Sequence, residues 1–230
     1  MLTLFHYPMN AGSRFTRLTL AEYAVPFTLI EELPWVRRRE FLQLNPAGTV
    51  PVLLAEADQP VAGTIPILEY LDETRGSMAR EKRLMPEEVF DRAEARRLTL
   101  WYLEKCENEV TRHMVRERVT RPLMPTEKGG GSPDAGALRA ARSNIKQHLK
   151  YTNYLAGNRD WLAGDKLSIA DLAAGATLSI LDYLGELDWS GHDAAREWYA
   201  RVKSRPSFRP LLQERVRGLP PSAHYADPDF

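Results

Sequence analysis

The chain has 230 residues and balances 31 Lys and Arg against 31 Asp and Glu, a formal net charge of zero at pH 7. Charge therefore gives it no general attraction to nucleic acid or to an anionic membrane, and electrostatic partners must meet local patches. Its length suits one large domain or two smaller ones, each with a usable core. The single Cys106 excludes an internal disulfide and a multi-cysteine metal site, which fits a reducing cytoplasm. The N-terminus lacks the basic-then-apolar plan of a signal peptide. The most apolar long stretch, Ile169 to Leu184, carries Asp171 and Asp182 and falls short of the roughly 20 residues of a spanning helix. It reads as a buried core helix, and no membrane insertion is expected.

In chain order, Leu2, Leu4 and His6 alternate with Thr3, Phe5 and Tyr7, which predicts a short strand closed by Pro8. The loop Met9-Asn10-Ala11-Gly12-Ser13 opens a helix with Leu18, Ala21 and Val25 at helical spacing, ended by Pro26; Ser13 is placed to cap it. Phe27-Thr28-Leu29-Ile30 is a second strand. Arg37, Arg38 and Arg39 beside Trp35 read as a solvated helix face or as a seat for an anion or a partner's acidic segment. Next comes Asn45-Pro46-Ala47-Gly48-Thr49-Val50-Pro51-Val52-Leu53, a turn that runs into a strand with proline at its mouth. A cis Val50-Pro51 bond would turn the Val50 N–H and C=O outward, where an extended peptide could pair with them. Spacing alone favours the trans form, because cis accounts for about 5–6% of X-Pro bonds.

Ala62-Gly63-Thr64-Ile65-Pro66-Ile67 leads into another helix, and the polar stretch Arg75 to Met85 reads as an interdomain linker. Pro86 suits the first turn of a new helix, with Glu87 and Glu88 near its positive end. Leu100, Leu103, Cys106, Val110 and Met114 keep helical spacing, so Cys106 is expected as a buried, inert thiol. Residues 126–134 form a glycine-rich loop before a helix from Ala137 to about Leu155. Ser168 and Asp171 make a capping box at the start of the buried helix. Beyond the last helix, Pro220 and Pro221 stiffen a tail that alternates acidic and aromatic residues. Basic residues precede it, and the tail either folds back on them or meets a partner.

Met1 to Leu71 resembles the thioredoxin-like N-terminal domain of glutathione transferases. The resemblance rests on the Leu2-Thr3-Leu4-Phe5 strand, the Arg14 to Ala24 helix, the Asn45 to Leu53 segment and Ile67-Leu68-Glu69-Tyr70-Leu71. Trp161 to Asp171 and Trp198 to Phe208 extend it over nearly the whole chain. It implies an α/β domain of βαβαββα order over residues 1–76, a linker at 77–86, an all-helical domain at 87–218 and an extended tail at 219–230. It also implies a cis Val50-Pro51 bond that meets the cysteinyl backbone of glutathione.

In that family a Tyr, Ser or Cys in the first loop, or on the strand before it, stabilises the thiolate. Here Ser13, Tyr7 and Asn10 all remain candidates, and His6 stands where some members place Tyr. Gly63-Thr64 replaces the usual Glu-Ser pair that receives the γ-glutamyl group. Losing such a charge-assisted hydrogen bond costs about 1.5–3 kcal/mol, roughly one to two decades of affinity. Val50, Pro51 and Thr64 are thus expected to form a vestigial site with weak or absent glutathione binding and no other cofactor.

The Gly63 to Glu73 segment, the triple-glycine loop and His224-Tyr225-Ala226-Asp227 are similar to the FzlA-type transferase-like proteins of alphaproteobacteria. That similarity implies a cytoplasmic, homodimeric, non-catalytic scaffold at the division site, which binds FtsZ and modulates filament curvature and constriction. Its contacts are expected around Tyr225, Asp227, Asp229 and Phe230. The competing reading is a glutathione transferase or peroxidase acting on small electrophiles. No basic stripe interleaved with aromatics suggests a nucleic-acid reader.

Overall fold

The computed structural model describes residues 1–227, so Asp229 and Phe230 lie outside the described residues. The first half runs β1 (Leu2–His6), α1 (Ala11–Glu22), β2 (Phe27–Glu31), α2 (Arg39–Leu44), β3 (Val52–Leu54), β4 (Pro60–Ala62) and α3 (Thr64–Leu71), the expected βαβαββα order. The strands lie in the order β2-β1-β3-β4, with β1 and β2 parallel and the other pairs antiparallel. Parallel neighbours need a crossover, and α1 supplies it. Leu2, Leu4, Leu20, Leu53, Ile67 and Leu71 close the core on one face of the sheet. Phe5, Phe41 and Val52 pack on the other, as the alternation along β1 requires.

Two boundaries differ from the sequence expectation. The helix begun by α3 continues through 72–79, so irregular chain starts only near Arg80. Arg83 is anchored to Asp72 at 2.5 and 3.0 Å, and the Leu84 N–H donates to the Tyr23 hydroxyl at 3.2 Å. The linker is thereby fastened to the first domain. The next helix begins at Val89, three residues past Pro86, with Glu88 at its N-cap position.

That helix, α4, opens as Val89–Leu100 and continues to residue 123 through π-helical stretches at Trp101–Thr111 and Arg116–Thr120. It is followed by α5 (Ala135–Asn158), α6 (Ile169–Tyr183), α7 (Asp193–Lys203) and α8 (Arg209–Gln213). Every residue of α6 is buried, as its composition predicted. Its capping box is present: the Ser168 N–H donates to Asp171 Oδ2 at 2.9 Å, and Ser168 Oγ accepts from the Ala170 N–H at 3.2 Å. Asp171 Oδ1 also accepts from the Leu162 N–H at 2.8 Å and Trp198 Nε1 at 2.9 Å. The cap thus ties α6 to α7 as well as starting a helix. Cys106 is fully buried within this helical core, and burial pushes its thiol pKa up, so it stays protonated and unreactive. α6 also packs along α1, which makes the seam between the two halves.

Candidate functional site

The first candidate site lies where α1, β3 and α3 begin. Val50-Pro51 is cis. The turn before it is held by the Asn45 side chain, which donates to the Thr49 carbonyl at 2.8 Å and accepts from the Ala47 N–H at 3.2 Å. Gly48 takes the left-handed backbone that this turn needs, at φ +68°. The Pro51 carbonyl accepts from the Gly63 N–H at 3.0 Å. Among the described residues, neither the N–H nor the C=O of Val50 has a hydrogen-bond partner, so both remain available to an extended ligand.

Thr64 opens α3 behind Gly63, whose φ is +97°. No acidic residue lies in the first turn of α3 and no side chain caps it. Gly12 faces this point from α1, and a methyl group there would run into the Thr64 hydroxyl and crowd Pro51 Cδ. Val50, Pro51 and Thr64 therefore lie together, over a Gly12 whose replacement would force the Thr64 hydroxyl to move. The site retains backbone pairing groups and a helix N-terminus, and the first turn of α3 offers no carboxylate for an ammonium group.

The three candidate thiol activators separate. Asn10, not Ser13, is the N-cap of α1: its Oδ1 accepts the Ser13 N–H at 2.7 Å. Ser13 lies inside the first turn, fully buried, and its hydroxyl accepts the Tyr7 N–H at 3.2 Å. A cap must precede the helix, and the helix begins at Ala11. Tyr7 is buried with its hydroxyl unpartnered, and its ring meets Trp35 edge-on at 5.8 Å. Burial, then Glu31, raises its pKa, so the phenol is a neutral donor. His6 is also buried, and burial with the nearby Arg17 and Arg14 lowers its pKa to about 3.

The second candidate site is the tail and its cradle. Tyr225 is 0% exposed, which corrects the expectation that this ring faces a partner: it fills the interior of its own chain. Its hydroxyl donates to the Leu211 carbonyl at 3.0 Å and accepts from Arg14 Nη1 at 3.2 Å. Arg14, itself fully buried, also donates to Ser179 Oγ and to the Pro8 carbonyl, both at 2.7 Å. One guanidinium thus links the first loop, α6 and the tail. The Tyr225 ring lies edge-on to Tyr183 at 4.9 Å, and Ser222 donates to the Tyr183 and Asp182 carbonyls at 2.9 and 2.7 Å.

Beneath the tail, Lys203 Nζ pairs with Asp182 Oδ2 at 3.1 Å, both side chains fully buried. Burial raises the Asp182 pKa and lowers that of Lys203, so each holds its charge through the other. Lys203 also donates to the His224 carbonyl at 3.3 Å, and His224 Nε2 stands 3.3 Å from Asp182 Oδ1. The tail therefore folds back on the basic segment that precedes it. Asp227 is exposed at the end of this strap.

Sequence reasoning missed Arg14, Asp182 and Lys203 as a cluster, because each looks like an ordinary helix residue until the folds of α1, α6 and α7 meet. It also missed Glu107, whose Oε2 is buried without a partner on the π-helical stretch of α4. Burial pushes that carboxyl up to about 7.

Comparison with known proteins places this geometry in context. A family profile described as Glutathione S-transferase, N-terminal domain, matches residues 13–74, and its C-terminal counterpart matches residues 135–201. The chain is 42% identical to FtsZ-localized protein A of Caulobacter vibrioides, over 99% of this chain and 98% of that one. It superposes on a glutathione S-transferase from Sinorhizobium meliloti with a TM-score of 0.98 at 57% identity, covering 100% of both chains. FzlA from C. crescentus gives a TM-score of 0.92 at 41% identity, covering 100% of this chain and 99% of that one.

Proposed function

Because the chain belongs to the glutathione S-transferase family, we propose that it uses the transferase fold as a non-catalytic scaffold that binds FtsZ. Through that contact it modulates filament curvature and constriction at the division site. The observation that carries this reading is the first turn of α3, which lacks an acidic side chain where the family receives the γ-glutamyl ammonium. Similarity to FtsZ-localized protein A over 99% of this chain supports the partner. Asp227, Asp229 and Phe230 are the tail residues proposed to meet it. Tyr225 acts indirectly, by seating the tail.

The scaffold is proposed to be a homodimer, so that two copies of one surface engage a polymer with avidity. Ile65 of α3 and Val89 and Leu100 of α4 are exposed apolar residues around the Glu69–Arg96 pair at 3.3 Å. A second copy seated there would cover them.

The test is co-sedimentation with FtsZ filaments grown in GTP, comparing the full chain with Asp227→Lys and with a chain ended after Leu219. Binding by the full chain that both changes abolish is the expected result. Because the truncation also removes the Tyr225 contact with Arg14, the folded Asp227→Lys variant decides the location. A full chain that stays in the supernatant overturns the reading.

Two observations favour the transferase alternative: among the described residues the Tyr7 hydroxyl and the Val50 backbone groups have no partner, and both would suit a thiol-bearing peptide. Saturable heat with micromolar glutathione, and turnover of a chlorodinitrobenzene-type electrophile above background, would establish it. The scaffold reading expects a millimolar dissociation constant or no heat, and no turnover.

A further inference from the structure

The two edges of the sheet are protected very differently. β4 carries Pro60, which has no N–H to offer a neighbouring strand. β2, at the other edge, is Phe27-Thr28-Leu29-Ile30-Glu31 and contains no proline, lysine or glycine. Natural edges are normally blunted by such devices, because an open edge templates the addition of another strand.

The direction of the free groups follows from one hydrogen bond. The Glu32 N–H donates to the His6 carbonyl at 2.8 Å, so Glu32 points its backbone at β1. Successive residues of a strand point their backbone groups to opposite sides, so Thr28 and Ile30 also face β1. Phe27, Leu29 and Glu31 face outward. Among the described residues, no strand lies beyond β2 and no other backbone group pairs with their N–H or C=O.

The side chains along this edge are apolar and exposed: Leu29 and Ile30 at 41% each, followed by Leu33 at 36% and Val36 at 45%. Beyond the strand, Arg38 folds back on the buried Glu32 at 2.9 Å and closes the loop between them. Arg37 and Arg39 follow past the end of β2, both exposed, with the Arg37 guanidinium lying beside Gly48 and Arg39 opening α2. Among the described residues, neither is in an ion pair.

We infer that the open edge of β2 docks an extended apolar segment of a partner protein whose acidic flank reaches Arg37 and Arg39. Backbone pairing with Phe27, Leu29 and Glu31 supplies the affinity, and Leu29 and Ile30 favour apolar residues on both faces of the added strand. The arginines set its register. The segment's acidic residues lie beyond Glu31, since directly opposite it they would meet a like charge. This inference rests on the scaffold reading for the partner's identity. It places a second contact away from the tail.

The test is co-sedimentation with FtsZ filaments of the full chain, Leu29→Lys and the double variant Arg37→Glu/Arg39→Glu, with thermal melting to confirm folding. The lysine puts a charge on the edge, and the double variant leaves the strand untouched. Each is expected to weaken binding at least tenfold without lowering the melting temperature. Unchanged binding by both variants overturns the edge while leaving the scaffold reading intact. Concentration-dependent pairing of the chain with itself, abolished by Leu29→Lys, also overturns it by making a second copy the occupant.

If the unmodified chain does not bind FtsZ, the scaffold reading fails and the edge is tested separately with a displayed library of extended peptides. Enrichment of apolar sequences with an acidic flank, dependent on Leu29, sustains the inference. No such enrichment overturns it.

Discussion

The first loop and the tail cradle share Arg14, yet they satisfy their polar atoms to different degrees. Around the tail, the Tyr225 hydroxyl has two partners, Ser222 has two, and Lys203 faces both a carboxylate and a carbonyl, while Asp182 Oδ1 and Glu214 Oε2 make ion-pair contacts without a hydrogen bond among the described residues. Around the loop, the Tyr7 hydroxyl, His6 Nδ1 and the Val50 backbone groups have no hydrogen-bond partner among the described residues. A satisfied buried network fixes one conformation, whereas unpaired polar groups mark a place once shaped for a ligand or still open to one. Two tyrosines in one interior thus differ: the Tyr225 hydroxyl is bonded on both sides, and the Tyr7 hydroxyl has no partner among the described residues.

The comparison breaks most visibly at Lys203. Lys203→Ala removes the buried ammonium from Asp182 and leaves it only the Tyr199 hydroxyl and the half-exposed His224, which is expected to destabilise the chain by about 3 kcal/mol in urea unfolding. A loss under 1 kcal/mol would mean that water reaches the cluster.

The next largest effect is the pH dependence set by His6. Its pKa is about 6.5 unfolded and about 3 folded, so the unfolded chain binds more protons between those values. Stability is full above pH 6.5 and declines by a few kcal/mol as pH falls towards 3. His6→Phe should flatten the stability profile across that window; an unchanged slope would assign it to other groups.

Tyr225→Phe removes a hydroxyl bonded to Arg14 and Leu211, with an expected cost of about 1–3 kcal/mol. Hydrogen exchange of the 222–227 backbone should accelerate with it. The matching change in the loop, Tyr7→Phe, removes a hydroxyl with no partner, and should shift stability by less than about 0.5 kcal/mol. Equal effects of the two tyrosine changes would erase the contrast between the regions.

Much of the fold was legible because its signals are local. The Ser168–Asp171 box needs only three residues of spacing, and the apolar run through α6 declares its own burial. The order of strands and helices in the first domain follows from alternation, Pro8, Pro26 and the Asn45 to Leu53 segment. Convergence of Val50, Pro51 and Thr64 was foreseeable only through resemblance to a family, since no periodicity links residues 50 and 64. Local reading misplaced the α1 cap, because Asn10 and Ser13 are both capping types and only the helix start distinguishes them.

By itself, then, the sequence determined the two-part architecture, the inert Cys106, the absence of an acid at Gly63-Thr64 and the helix that carries the core. The tertiary structure decided that Tyr225 turns inward, that Arg14 reaches Ser179 and Tyr225 across 165 and 211 residues of chain, and that β2 is left with a bare edge. Those outcomes depend on which surfaces meet after the helices and strands have formed. A charge 165 residues from its partner has no spacing to betray it, and only desolvation in the assembled core makes the pairing obligatory.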